Sequence, residues 1–183
     1  MQKKENLRLF SERFSSSGGV VHHASSKDGA ASEAVRIVSG RKGRIHVAQH
    51  VRGAVLPHLN DAGLGSPPEK STDDYGPDDS GITEAKYGVA EAGCIVEVAD
   101  VESIRLASSA TEVHVALLRS SGVIASLSDL AGAIRSELFI QGRRPVITLI
   151  SGPSRTSDIE LKDVIGVHGP REVQVVIYEA EAQ

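Results

Sequence analysis

The chain has 183 residues, 40% hydrophobic and 24% charged, the proportions of one globular domain able to bury a core of its own. Against 24 Asp and Glu stand 20 Lys and Arg, a formal charge of −4, and three Tyr, three Phe and no Trp leave little to stack on bases, which excludes nucleic acid as a partner. The single cysteine, Cys94, excludes an intrachain disulfide, a Cys-rich zinc site and a Cys-ligated iron–sulfur cluster, which takes about four thiolates.

Residues 1–17 read as a polar helix with Leu7, Phe10 and Phe14 on one stripe, stopped by Gly18 and Gly19. Residues 1–19 are therefore expected as an N-terminal helical arm on a single α/β domain spanning 20–183. Lys3, Lys4, Glu5 and Arg8 stand where a signal peptide needs an apolar core. The longest apolar runs, 113–118 and 146–150, fall far short of the roughly 20 residues of a membrane span, so no span and a cytoplasmic protein are expected.

A short strand follows at 20–22, then a helix over 30–38 with Ala31, Ala34, Val35 and Val38 on one face, closed by Gly40. Residues 44–48 suggest a strand and 51–59 a helix that must absorb Pro57. Between Gly63 and Gly81 the composition turns to Gly, Pro and Asp, and the acidic stretch 66–80 is expected to be mobile or to order on a partner, having few apolar side chains to pin it. Thr83 reads as the cap of a short helix, 94–98 and 112–118 as strands. Leu127, Leu130, Ala131, Ile134 and Leu138 recur at helical spacing behind Ser126, a cap residue. Residues 145–150 form a strand, 157–164 a short helix and 173–178 a last strand. Strands that are unbroken apolar runs, interleaved with amphipathic helices, predict an open, mostly parallel α/β sheet flanked by helices. Ligands of such sheets sit beyond the carboxyl ends of strands, which directs attention to the segments after Ala48, Leu118 and Ile150 and to the Gly81 region.

Several familiar signatures are missing: no phosphate-binding P-loop, no dinucleotide fingerprint, no Gly-x-Ser-x-Gly elbow. His46 and His50 are four apart, but on a strand that spacing separates them by about 13 Å, too far to share an ion, and no metal site is expected. His114 lies inside an apolar run, where a hydrogen-bonded core histidine and a site residue are both open. The strongest local pattern is Ser151-Gly-Pro-Ser-Arg-Thr-Ser-Asp-Ile-Glu160. Set after a central strand and opening a helix, it would offer backbone N–H groups and Arg155 to a carboxylate or phosphate. The same residues also spell a capping box, Ser157 to Glu160, which needs no ligand. Gly166-Val-His168-Gly-Pro170 follows, and His168 either faces the same pocket or lies in a solvated loop.

These segments resemble the LUD-domain family. Its C-terminal signature stands here as 151–160, 166–170 and the strand 173–177; its central signature is matched by Gly81-Ile-Thr83-Glu-Ala85 and by Ala90-Glu91-Ala-Gly93, and its strand histidine by His114. The resemblance covers 81–178 and implies a fold like the ribose-5-phosphate-isomerase and CoA-transferase superfamily. It also implies a part in oxidising L-lactate to pyruvate beside iron–sulfur partner proteins. Two-electron oxidation needs a redox centre, and one Cys without a nicotinamide or flavin fingerprint supplies none, so the expectation is a non-redox accessory subunit with no cofactor of its own. A small anionic metabolite would be held by Gly152, Ser154, Arg155, Thr156 and His168 near Thr83, Gly93 and His114. The alternatives are an isomerase or transferase acting on a phosphorylated or CoA-linked metabolite, with Glu91 as catalytic base or nucleophile, and a binding module without catalysis.

Overall fold

A computed structural model describes residues 2–67, 75–99, 101–138, 145–157, 163–165 and 169–179. Helix α1 (Gln2–Ser16) leads into strand β1 (Val20–Ala24), helix α2 (Lys27–Val38), strand β2 (Ile45–Val47) and helix α3 (Arg52–Asp61). Strands β3 (Ser80–Ala85), β4 (Tyr87–Val89) and β5 (Cys94–Ala99) precede helix α4 (Glu102–Ser109). Strands β6 (Val113–Arg119) and β7 (Val123–Ile124), helix α5 (Leu127–Leu138) and strands β8 (Val146–Ile150), β9 (Arg155–Ser157), β10 (Asp163–Ile165) and β11 (Glu172–Tyr178) complete the order.

The main sheet runs β1-β11-β6-β3-β2, and every pairing in it is parallel. Its middle strands β6 and β11 are the unbroken apolar runs of the sequence, buried on both faces as a covered parallel sheet requires. Helices α2 and α3 cover one face, packing Ala30, Ala34, Val38, Val55 and Leu59 on Ile82, Val115, Leu117 and Val176. A second sheet, β7-β4-β5-β8, lies over the other face together with α1 and α4, and α5 closes its far side through Leu130 against Cys94 and Val96. Ser126 caps α5 as expected, its Oγ accepting from the Asp129 amide (3.2 Å) while Asp129 accepts from the Ser126 amide (3.1 Å). Gly81 lets α4 approach: a Cβ there would stand 1.7 Å from the Ala107 carbonyl oxygen.

Four expectations change. The N-terminal helix, read as an arm, inserts Phe10 and Phe14 into the core, stacked at 5.6 Å and fully buried; Gly19 makes room, since a Cβ there would meet the Phe14 ring at 2.3 Å. Thr83 caps no helix: it is the middle of β3, where Ile82 pairs with Val47 and Thr83 with Ala116, and β-branched residues suit a strand held on both sides. Strand β8 is not central but the half-exposed edge of the second sheet, antiparallel to β5. Residues 155–157 open no helix either. They form β9, paired with β10 (Ser157 with Asp163), so the first residue of the capping-box pattern lies in a strand, while 158–162 of the helix expected over 157–164 lie outside the described residues. Of the acidic stretch 66–80, residues 68–74 lie outside the described residues, and its end is anchored: Asp79 is 4% exposed and Ser80 starts β3. Among the described residues no helix is long and apolar enough to cross a membrane.

Candidate functional site

Three polar side chains meet between the two sheets. In the main sheet Gly81 pairs with His114 and Thr83 with Ala116, which puts Thr83 and His114 on the face toward the second sheet. From that sheet Glu97 faces them, on the side of β5 that also carries Ile95. Thr83 Oγ1 donates to Glu97 Oε1, and His114 Nε2 lies 2.8 Å from Thr83 Oγ1 and 3.2 Å from Glu97 Oε1. The three are 0%, 1% and 0% exposed in the order Thr83, Glu97, His114. Burial by itself pushes the Glu97 carboxyl up. The hydrogen bond and charge of His114, with the hydrogen bond from Thr83, outweigh it and hold the group below the ordinary carboxylate range.

An ionised Glu97 fixes the direction of the bonds. The threonine proton goes to the carboxylate, so the imidazole must donate through Nε2 to the hydroxyl oxygen. That is the reverse of a base removing a hydroxyl proton. The cluster ties three strands together and keeps a buried carboxylate paired; as folded, Thr83 and His114 are out of reach of solvent. Glu97 was passed over in the sequence, although a charge inside the run Cys94-Ile-Val-Glu-Val-Ala99 is itself the signal of a buried partner.

The remaining predicted residues fall in two places. Glu91 and Gly93 sit in the turn from β4 to β5: Glu91 is exposed with its amide on the Ala125 carbonyl (3.0 Å), and Gly93, at φ +58°, packs against Arg13 of α1. Gly152, Ser154 and Arg155 gather at the amino end of the main sheet. The Ser154 amide donates to Pro170 O (2.9 Å), a Cβ on Gly152 would stand 2.6 Å from Ser17 O, and exposed Arg155 reaches Ser17 O at 3.4 Å. The structure thus joins the two signature segments to each other and to the last turn of α1, where a cation complements the helix dipole, rather than to the carboxyl ends of the strands. A Cβ on Gly169 would lie 3.0 Å from that of Ser154 and 3.9 Å from Ser109 O, at the end of α4. Thr156 is in β9, and His168 lies outside the described residues.

The two histidines weighed as a metal pair go to different ends. His46 is buried at the amino end, 2.7 Å from Asp79 Oδ2 and stacked on Tyr75, whereas His50 is exposed just beyond β2. Burial pushes Asp79 up, but hydrogen bonds from the Arg44 amide, His46 and the Gly76 amide carry it below its ordinary value. Among the described residues no group of three or more His, Cys, Asp or Glu is arranged to hold a metal ion.

A parallel α/β sheet backed by a second, mixed sheet, with a carboxylate–hydroxyl–imidazole cluster sealed between them, defines the class. The LUD domain matches residues 7–178, and the chain belongs to that family. It is similar to Lactate utilization protein C of Deinococcus radiodurans, 28% identical over 181 residues covering 97% of this chain and 81% of that one. An uncharacterised Escherichia coli protein, YkgG, is 37% identical over 100 residues, 54% of this chain, and Lactate utilization protein C of Macrococcus caseolyticus is 32% identical over the same length. Those two matches span 43% of each relative's length, less than half. The crystal structure of a DUF162 family protein from Deinococcus radiodurans shares the fold, with a TM-score of 0.71 at 20% identity over 97% of this chain and 99% of that one.

Proposed function

We propose that the chain serves a lactate-utilisation system as a non-redox accessory subunit, working beside iron–sulfur proteins while L-lactate is oxidised to pyruvate. The observation that carries this reading is the alignment, over 97% of the chain, with a relative named Lactate utilization protein C. The chemistry of Cys94 supports the division of labour: the chain's single thiol is buried, and burial pushes its pKa up, away from the thiolate that binds metal or exchanges electrons. The electrons of lactate therefore go to centres on partner proteins, and this chain contributes binding and assembly. Reconstitution tests it. Iron–sulfur proteins of a lactate-utilisation system are assayed for L-lactate-dependent reduction of an artificial acceptor, with and without this chain. Turnover is expected to require the chain, and the chain alone to give none. Equal turnover without it ends the reading.

A further inference from the structure

The carboxyl end of the main sheet carries a second cluster, built around Glu84. Adjacent strands β2 and β3 leave the sheet in opposite directions, β2 toward α3 on the helical face and β3 toward β4 on the second-sheet face. Such a divergence opens a crevice beyond the strand ends, the place where open α/β sheets hold ligands. Glu84 stands at that point. Lys27, the first residue of α2, gives two hydrogen bonds to its carboxylate (2.8 and 2.9 Å), and Tyr178 at the end of β11 donates a third (2.5 Å). His50 Nε2 lies 3.1 Å from the Glu84 amide nitrogen and 3.3 Å from the Glu84 carbonyl oxygen; the amide can only donate, so the shorter contact makes Nε2 the acceptor and puts the neutral imidazole's proton on Nδ1. Tyr178 is buried, but the side chains of Lys27 and Glu84 keep 40% and 21% of their surface exposed, and His50 is exposed.

These groups leave a definite remainder among the described residues. An ammonium has three donors and two are spent on Glu84; a carboxylate has about four acceptor positions and three are taken; His50 keeps one N–H. Exposed Arg119, level with Tyr178 across the sheet, adds positive charge. Two donors and a cation beside one acceptor fit a monoanion that also carries a hydroxyl. A phosphate dianion brings a second negative charge against the Glu84 carboxylate that one ammonium donor and one imidazole N–H do not balance, and a keto acid lacks the hydroxyl that would donate to Glu84.

We propose that Lys27, His50, Glu84 and Tyr178 form a binding site for a small carboxylate bearing a hydroxyl on the adjacent carbon. The site rests on the lactate-utilisation reading for its probe. Calorimetric titration of the full chain with L-lactate, pyruvate and inorganic phosphate, with amide chemical-shift mapping, tests it. L-lactate binds with shifts gathered at the four residues, pyruvate binds at least about tenfold more weakly because Glu84 is left without a donor, and phosphate does not displace lactate. Lys27→Met and Glu84→Gln each weaken lactate by about tenfold or more, the usual scale for a charge-assisted hydrogen bond. His50→Ala, at an exposed position, carries the same comparison if either variant loses the wild-type amide spectrum. No lactate binding, equal affinity for pyruvate, displacement by phosphate, or shifts centred elsewhere overturns the site. The two readings fail separately. Turnover that needs the chain but is untouched by Lys27→Met removes the site and keeps the accessory role; lactate bound at these residues with turnover indifferent to the chain does the opposite.

Discussion

Thr83 and Glu84 are neighbours on one strand, yet each belongs to a different polar cluster. Thr83 points between the sheets to Glu97 and His114, where nothing is exposed beyond 1%; Glu84 points to the helical face and meets Lys27, Tyr178 and His50 at a rim open to water. Both clusters centre on a carboxylate surrounded by donors. Burial separates their duties, because a sealed charge contributes mainly by not being left alone, whereas a half-exposed one can exchange a partner for a ligand at little cost to the fold.

Removing the sealed carboxylate should have the largest effect. Glu97→Ala leaves the buried Thr83 hydroxyl without its acceptor and His114 without its carboxylate partner, and should destabilise the protein by about 3–5 kcal/mol in chemical denaturation. The acid limb of the stability profile sharpens the same point. Because the folded Glu97 carboxyl lies below its unfolded value of about 4.3, its contribution is complete above that pH and disappears as pH falls through the folded value. Asp79 acts in the same direction, so a Glu97→Gln variant should lose part of this acid dependence but not all of it.

Gly81→Ala comes next, at about 1–3 kcal/mol, since the added Cβ drives the α4 backbone off the sheet that the triad spans. At the rim the balance reverses: Lys27→Met should cost the fold no more than about 1 kcal/mol, as expected of a half-exposed ion pair, while abolishing most lactate affinity. A loss of several kcal/mol there would make the Lys27–Glu84 pair a brace and erase the contrast. Arg155→Ala should move stability least, within about 0.5 kcal/mol, and leave lactate affinity unchanged, because Arg155 is exposed and spent on the end of α1.

The elements legible in the sequence are those whose signal is local. The stripe of Leu7, Phe10 and Phe14, the Ser126 cap and the apolar runs of β6 and β11 each contain their own reason. What the sequence hides depends on partners far along the chain. A glutamate in a six-residue strand reads as the solvent side until a second sheet, stacked through Ile95, turns that side inward. Strands β4 and β7, of three and two residues, are too short for any period to register. The pattern Ser157 to Glu160 satisfies a capping box letter by letter, but its first residue, Ser157, is a strand residue paired with Asp163. Thr83 and Glu84 were both on view as polar residues after Gly81; only the strand's alternation, visible once β3 is known to be a strand, sends them to opposite faces.

Among the described residues strand β1 is joined to the sheet only through β11, pairing Val20 with Gln174 through Ala24 with Tyr178. On a ribosome, therefore, β1 has no place in the sheet until β11, made after every other described strand, emerges. On the other side of β11 stands β6, which can pair with the earlier β3 once made but keeps its second edge open until residues 172–178 follow. Contacts this distant in sequence close slowly, and an edge held open while they form invites mispairing with other chains. The nascent protein should thus depend on a holding chaperone until residues 172–178 are free to pair, and a chain stopped just short of residue 172 should aggregate rather than fold to a smaller sheet.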